Sequence, residues 1–200
     1  SESAALHINS KDRDEFFSDI TNTVLRLFSA LGVGMLACMP FVFPLMIDSK
    51  YNEAYNYIPF LVIATVFNVA ICLYSQVYLA KKLSKQVAST AIVGAIINIV
   101  INVVLIKYIG IYAAAISTMI SYLIMMVYRH FDLKKYVNIT IDKKLIIESI
   151  VMYTITLIIY FQKSLILQGI CLVFVCIYAF ITNYGILSST YKTIIGKIKG

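Results

Sequence analysis

Six long apolar segments constrain the fold of this chain more than any other feature. They comprise residues 27–47, 58–80, 87–106, 108–128, 145–161 and 164–187. A helix needs about 20 such residues to cross the hydrocarbon core of a bilayer, and only a helix or a closed barrel satisfies its own backbone hydrogen bonds there. None of the segments alternates with the two-residue period of barrel strands. The sequence therefore predicts an all-α, polytopic membrane protein with six transmembrane helices.

The remaining composition offers little that could perform chemistry. The chain is 60% hydrophobic and only 14% charged. Its four cysteines and two histidines have no spacing typical of a metal site. No nucleophile with a base, no glycine-rich phosphate loop and no paired acids are present. We therefore predict no catalytic residue, no metal site, no cofactor and no enzyme. The basic residues lie between the apolar segments rather than in one patch, which argues against nucleic acid as a partner.

Basic residues predict the orientation in the bilayer. Only Lys50, Lys107 and Lys163 fall on one side of the predicted spans, and the other fourteen fall on the opposite side. Those fourteen are Lys11, Arg13, Arg26, Lys81, Lys82, Lys85, Arg129, Lys134, Lys135, Lys143, Lys144, Lys192, Lys197 and Lys199. Lysine and arginine accumulate in cytoplasmic loops. Both ends of the chain are therefore predicted to be cytoplasmic.

The longest basic connection also suggests a division of the chain. We predict an N-terminal cytoplasmic segment (1–26), a four-helix part (27–128), a basic cytoplasmic loop (129–144), a two-helix hairpin (145–187) and a cytoplasmic tail (188–200). The chain starts at Ser1 with a polar segment that lacks the apolar core of a signal peptide, so we expect it to be a fragment or a processed piece.

Several amides in the predicted spans are candidates for a substrate pathway. Asn98 and Asn102 are four residues apart and share one helix face with Gly94. They either form hydrogen bonds between helices, with Gly94 allowing close approach, or line a hydrated pathway. We favour the interhelical clamp. Asn68 and Gln76 in the second span leave the same two alternatives open. Arg26, at the cytoplasmic start of the first span, is a further pathway candidate.

Small residues and helix breakers predict how the spans pack and bend. Ala113, Ser117 and Ser121 recur every four residues, and Ala30 and Gly34 form a similar pair, so both faces are predicted to pack closely against another helix. Gly110 is predicted to form the tight turn between two spans. Pro40 and Pro44 each remove a backbone donor and are expected to loosen the first helix, either at a moving position or simply as ordinary membrane-helix prolines.

Charged residues are almost absent from the predicted spans. Arg26 lies at the cytoplasmic start of the first span, and only Glu148 lies inside a span. Glu148 is a single turn into the fifth span and four residues after Lys144, which predicts an ion pair at the interface. No acid ladder for proton transfer is present in the spans.

Two stretches of the chain carry recognisable motifs. The first runs from Tyr51 and Ala54 through the second span to the basic loop with Lys82 and Lys85. The second carries Asn98, Asn102, Leu105 and Ile106, followed by Gly110, Ile111, Ala113 and Ala114. Together they resemble the C-terminal half of Wzx-type polysaccharide flippases, which belong to the multidrug/oligosaccharidyl-lipid/polysaccharide exporter superfamily. The second stretch departs from the family pattern at Lys107, where a proline is usual, and at Tyr112, where a second glycine is usual.

The resemblance implies a transporter of two helical lobes, of which this chain would be the later part of the second lobe. Its last two spans would then lie outside a twelve-helix core. The implied activity is export of undecaprenyl-diphosphate-linked oligosaccharide across the bacterial inner membrane by alternating access, for O-antigen, lipopolysaccharide or capsule biosynthesis. The implied partners are this lipid-linked oligosaccharide, the lipid bilayer and a missing N-terminal lobe. We accordingly expect residues 1–200 alone not to transport.

Other functions remain open at this point. A peptidoglycan-precursor flippase or a drug/cation antiporter of the same superfamily would have similar spans, although the lack of central acids disfavours the antiporter. A membrane-embedded polysaccharide polymerase or acyltransferase is a further alternative, but such enzymes generally need larger outer loops or a buried reactive group. A purely structural membrane subunit would show the same packing stripes without a hydrated cavity.

Overall fold

Six long helices account for most of the computed structural model, which describes residues 10–162 and 164–198. They are α1 (Ser10–Met46), α2 (Ile58–Ala80), α3 (Ser84–Ile109), α4 (Tyr112–Leu133), α5 (Lys143–Phe161) and α6 (Leu165–Ile198), with a short 3-10 helix at Ser49–Asn56 between α1 and α2. Each of the six contains a segment long and apolar enough to cross a membrane, and the described residues include no β-strand. The chain is an all-helical, multi-pass membrane protein, as the sequence predicts.

The helix ends follow local sequence signals. Asp142 caps α5, its carboxylate accepting the Lys144 amide at 2.9 Å. α3 ends at Gly110, which has φ +56° and ψ −133°. This conformation favours glycine, and the chain reverses direction there. Pro40 and Pro44 lie inside α1, which continues as one helix through both positions.

Packing divides the helices into two groups that meet at α1 and α2. α4 packs extensively against both α2 and α3, while α1 contacts α2, α5 and α6. The predicted boundary between residues 27–128 and 145–187 therefore separates α1 from two helices against which it packs. The boundary at residue 26 falls inside α1, and the first five residues of the predicted 129–144 loop belong to α4.

The connection between α4 and α5 is docked along the polar first turns of α1. The backbone amides of Asn138, Thr140 and Asp142 donate hydrogen bonds of 3.0–3.1 Å to side chains of Asp14, Ser18 and Asn22, respectively. The three donors are two residues apart along the extended connection, an advance of about 6.6 Å. The three acceptors are four residues apart along α1, an advance of about 6.0 Å, so donors and acceptors stay aligned. This connection, predicted as a basic loop, is thus held in a fixed path.

Buried apolar residues also hold the α4–α5 connection in place. Val137 and Ile139 are buried in one cluster with Tyr74, Tyr78 and Leu133. A second cluster joins α1 to α5 and α6 through Val33, Met152 and Val175. In contrast, α3 exposes most of its apolar side chains, including Ile96, Val100 and Val103, as expected for a surface that contacts lipid.

Two glycines of α1 provide a matched pair for testing this packing. A Cβ atom on Gly32 would lie 2.0 Å from the Tyr153 hydroxyl, which donates to the Ser29 carbonyl, whereas a Cβ on Gly34 would meet nothing within 4 Å. We expect Gly32→Ala to lower the free energy of unfolding by about 1–2 kcal/mol, because Tyr153 must move and lose its bond. Gly34→Ala should instead be neutral or stabilise by up to about 1 kcal/mol. Thermal unfolding in mild detergent measures both, and an equal effect of the two would contradict the contact.

Candidate functional site

A groove of about 570 Å³ lies between α2, α3 and α4, and we call it the polar groove. Its lining residues with polar side-chain groups are Asn68, Ser75, Asn98, Ser121, Tyr122 and Arg129. The rest of its lining is largely apolar, with Met125 and Ile99 among the contributing residues. It is therefore an apolar cleft that contains a few hydrogen-bonding groups and one charged side chain, the usual composition of a ligand site.

The α3 and α4 walls meet along two stripes with four-residue spacing. The α3 stripe contains Thr90, Gly94 and Asn98, and the α4 stripe contains Ser117, Ser121, Met125 and Arg129. Since the helices are antiparallel, successive members pair in opposite order. A Cβ atom on Gly94 would lie 3.0 Å from the Met125 sulfur, so the absence of a side chain lets the helices approach there.

Asn98 forms hydrogen bonds to three hydroxyl-bearing residues of α4. Its Nδ2 donates to Thr118 Oγ1 and to Ser121 Oγ, both at 3.3 Å, and its Oδ1 accepts from Ser117 Oγ at 3.2 Å. Ser117 and Ser121 are buried. Asn98 thus occupies the position that an interhelical clamp requires, while part of its side chain also lines the polar groove.

Arg129 is the most unusual residue of the groove because its guanidinium is buried, with only 2% of the residue exposed. Nε and Nη2 donate to Thr90 Oγ1 at 3.0 and 2.8 Å, and Nη2 also donates to the Val87 carbonyl at 3.1 Å. Nη1 donates to the Ile71 carbonyl at 3.1 Å and to the Ser75 hydroxyl. These five bonds match the five N–H groups of a guanidinium. Arg129 therefore fastens α4 to both α2 and α3.

Every acceptor around Arg129 is neutral. The carbonyls and hydroxyls offset the cost of removing the guanidinium from water, but they leave its net charge in place. No ion pair with an acid of the described residues neutralises it. The groove therefore has a positive electrostatic potential at the end nearest the α4–α5 connection. Opposite charges attract more strongly in such a site than in water.

The predicted pathway residues do not all lie together. Asn68 and Asn98 both line the polar groove, but Asn102 and Gln76 do not. Asn102 is half-buried and its side chain forms no hydrogen bond with the described part of the chain, while Gln76 is exposed. Arg26 lies elsewhere, on α1, where it pairs with Asp142 at 3.6 Å.

The predicted packing residues also differ in their surroundings. Ala30 and Ala113 are buried, as are Ser117 and Ser121, so these positions lie in helix contacts. Gly34 faces no described neighbour within 4 Å, and the close approach on α1 occurs at Gly32 instead. The predicted ion pair between Lys144 and Glu148 is present at 3.7 Å.

Arg129 was predicted to lie in a cytoplasmic loop and was not among the predicted site residues. In the structure it is a buried residue of α4. A signal was present, since the stripe from Ala113 through Ser117 and Ser121 reaches Arg129 when it is extended by two further turns. The apolar segment ends at residue 128, which concealed this continuation.

Known proteins provide no further identification. Within the described residues, no three histidine, cysteine or acidic side chains form a group able to hold a metal ion. No family model, curated protein or solved structure matches the chain.

Proposed function

We propose that this chain forms part of a flippase that exports undecaprenyl-diphosphate-linked oligosaccharides across the bacterial inner membrane for surface polysaccharide biosynthesis. The observation that carries the proposal is the polar groove, with its amides, hydroxyls and the uncompensated charge of Arg129. Amides and hydroxyls suit the hydroxyl groups of sugars, and a buried cation suits a diphosphate. The resemblance to Wzx-type flippases supports the same assignment.

Arg129 would act on such a cargo through its field rather than through direct bonds, because its five N–H groups are already engaged. Its location in the last two turns of α4 places the charge toward the predicted cytoplasmic side. Thr90, which accepts bonds from Arg129, and Asn98 are eight residues apart on α3. The Asn98 amide therefore lies about 12 Å further along the groove than Thr90. A diphosphate near Arg129 would then leave its sugars within reach of Asn68, whereas the Asn98 amide is already bonded to α4.

The same charge disfavours a drug/cation antiporter, since a cationic cargo would be repelled by Arg129 and no acid lines the described part of the groove. A peptidoglycan precursor also carries a diphosphate and is therefore compatible with this groove. Transport by alternating access needs a second lobe that moves against this one. We propose that the exposed faces of α2 and α3 contribute to contacts with such a lobe or with lipid.

Depletion of this protein in its bacterium tests the proposal. We expect lipid-linked oligosaccharide to accumulate on the cytoplasmic side of the membrane and surface polysaccharide to fall, while peptidoglycan synthesis continues. Mild acid release and mass spectrometry of the membrane lipids would measure the accumulated species. Accumulation of the peptidoglycan precursor would assign the competing cargo, and unchanged lipid-linked intermediates with greater drug sensitivity would contradict the proposal.

The proposed orientation can be tested by cysteine labelling in intact cells. A background without the four natural cysteines is needed, because Cys72 and Cys176 are exposed. We expect an impermeant maleimide to label Asn52→Cys but not Asn138→Cys, because the basic residues place the α4–α5 connection in the cytoplasm. Both positions are exposed, so accessibility to solvent is matched. The opposite pattern would reverse the topology.

A further inference from the structure

A second cavity, of about 540 Å³, lies where the α4–α5 connection passes over the end of α4, and we call it the interfacial crevice. Its lining residues include Tyr74, His130, Lys134, Asn138, Lys143 and Ile146. α4 and α5 make little direct contact with each other, and the crevice lies between the end of one and the start of the other. It is separate from the polar groove, with which it shares no lining residue.

The crevice carries two lysines that lack acidic partners. Lys134 and Lys143 both line it, and neither forms an ion pair with an acid in the described chain. Their sequence neighbours behave differently, because Lys135 pairs with Asp132 at 2.7 Å and Lys144 pairs with Glu148 at 3.7 Å. Lys134 lies over the Phe131 ring at 5.0 Å, which holds its ammonium group near the cavity wall.

No aspartate or glutamate is among the described residues that line the crevice. The nearby acids are engaged elsewhere. Asp14 pairs with Arg13 at 3.2 Å and accepts the Asn138 amide at 3.1 Å. Asp142 caps α5 and pairs with Arg26 at 3.6 Å. The two lysines therefore present a net positive charge to the cavity.

His130 places an imidazole ring beside these charges. The Tyr74 hydroxyl lies 3.1 Å from His130 Nδ1, and Tyr74 is buried. With Tyr74 donating to Nδ1, the proton of the neutral imidazole is on Nε2, which is then a donor for an anionic oxygen. The crevice thus combines two ammonium groups with one imidazole ring.

Exposed apolar side chains surround the crevice. Leu123, Val127 and Phe131 repeat every four residues along α4 and are all exposed, forming a stripe that runs from the crevice toward the membrane interior. Ile146 and Ile150 of α5 form a similar exposed pair. A molecule with a small anionic head and two apolar chains would match both the cavity and these stripes.

We propose that the interfacial crevice binds the headgroup of an anionic phospholipid of the cytoplasmic leaflet, with Lys134 and Lys143 contacting its phosphate. Basic pockets between transmembrane helices on the cytoplasmic side bind anionic headgroups for the same electrostatic reason. The acyl chains follow the exposed stripes of α4 and α5. This lipid fixes the α4–α5 connection against the membrane surface, and its binding does not depend on which cargo the polar groove accepts.

Native mass spectrometry of the full chain in mild detergent tests the proposal with phosphatidylglycerol and phosphatidylcholine of identical acyl chains. We expect the wild type to retain one phosphatidylglycerol in preference to phosphatidylcholine. Lys134→Gln with Lys143→Gln should weaken phosphatidylglycerol binding by about twenty-five-fold, at about fivefold for each lysine. Lys134→Arg with Lys143→Arg should retain the binding, because both charges remain.

The matched control is Lys81→Gln with Lys85→Gln, which removes the same charge from a different predicted cytoplasmic loop and should leave the affinity unchanged. Equal binding of the two lipids, or an equal loss in this control, would overturn the proposal. Displacement of the lipid by millimolar inorganic phosphate would also overturn it, because the crevice would then recognise a free anion rather than a membrane lipid. Failure of any of these tests leaves the cargo experiment on depleted cells unaffected.

Discussion

Arg129→Met should lower export by about tenfold or more while leaving the amount of folded protein close to that of the wild type. At an effective dielectric constant of about 20, two unit charges about 8 Å apart attract by roughly 2 kcal/mol. Loss of that attraction for a diphosphate corresponds to more than about tenfold in rate if it acts in the transport barrier. The measurement is surface polysaccharide per unit of protein in the membrane, in cells that depend on this gene.

Methionine should be tolerated at this position because it removes a buried charge instead of leaving one unpaired. The Thr90 and Ser75 hydroxyls keep their own bonds to the Gln86 and Ile71 carbonyls, at 2.7 and 2.8 Å. The substitution removes five interhelical hydrogen bonds, but it also removes the cost of keeping a guanidinium out of water, and these two effects oppose each other. We therefore expect the free energy of unfolding to change by less than about 1 kcal/mol.

Two further variants separate the charge from the fold. Arg129→Lys keeps the charge but replaces five fixed donors by three, so it should reduce folded protein more than Arg129→Met does. Lys85→Met removes an exposed cation from the start of α3 and should alter neither property. Normal export by Arg129→Met would show that the groove does not use this charge.

The helices could be predicted from sequence because each membrane crossing depends on a local property, a long run of apolar residues. The start of α1 was missed. Residues 10–26 are too polar for a membrane span, although Phe16, Ile20 and Val24 recur at the four-residue spacing of a helix. Their helix carries Asp14, Ser18 and Asn22, which hold the α4–α5 connection more than a hundred residues later in the chain. That contact depends on the tertiary arrangement, which no local sequence pattern specifies.

The candidate site could be predicted only in part, because only residues inside the apolar segments stand out from their neighbours. Asn98 and Gly94 stood out because an amide and a glycine are unusual in apolar segments, whereas Arg129 was hidden by its position just beyond one. The two glycines of α1 show most clearly what the sequence alone does not determine. Gly32 and Gly34 lie two residues apart in the same apolar segment, and nothing in the sequence distinguishes them. Only Gly32 faces Tyr153, because of the way α5 is oriented against α1.

Asn98 and Asn102 also appear equivalent in the sequence, but the structure separates them. Both are half-buried, and they lie one turn apart on α3. Asn98 bonds to Ser117, Thr118 and Ser121, whereas the side chain of Asn102 has no such bond among the described residues. The register of α3 against α4 determines this difference, and the amide spacing alone does not specify that register.

Asn98→Leu should therefore destabilise the protein, and Asn102→Leu is its matched control. Interhelical hydrogen bonds within membranes contribute about 0.6 kcal/mol each on average, so loss of three should cost about 2 kcal/mol. For a chain of this size that lowers the melting temperature by roughly 4–8 °C. Asn102→Leu introduces the same side chain one turn away and should shift it by less than about 2 °C. Thermal unfolding of the purified variants in one detergent compares them directly.

The same pair of variants decides between a clamp and a pathway role for Asn98. A clamp predicts that export falls only as far as the amount of folded Asn98→Leu protein falls, and that Ser117→Ala and Ser121→Ala reproduce part of the loss of stability. A pathway role predicts wild-type stability with lost export. The three bonds to α4 favour the clamp, because the Asn98 amide is already hydrogen-bonded to hydroxyl groups of the neighbouring helix. An unchanged melting temperature together with failed export would contradict it, and would make Asn98 a cargo-contacting residue of the polar groove.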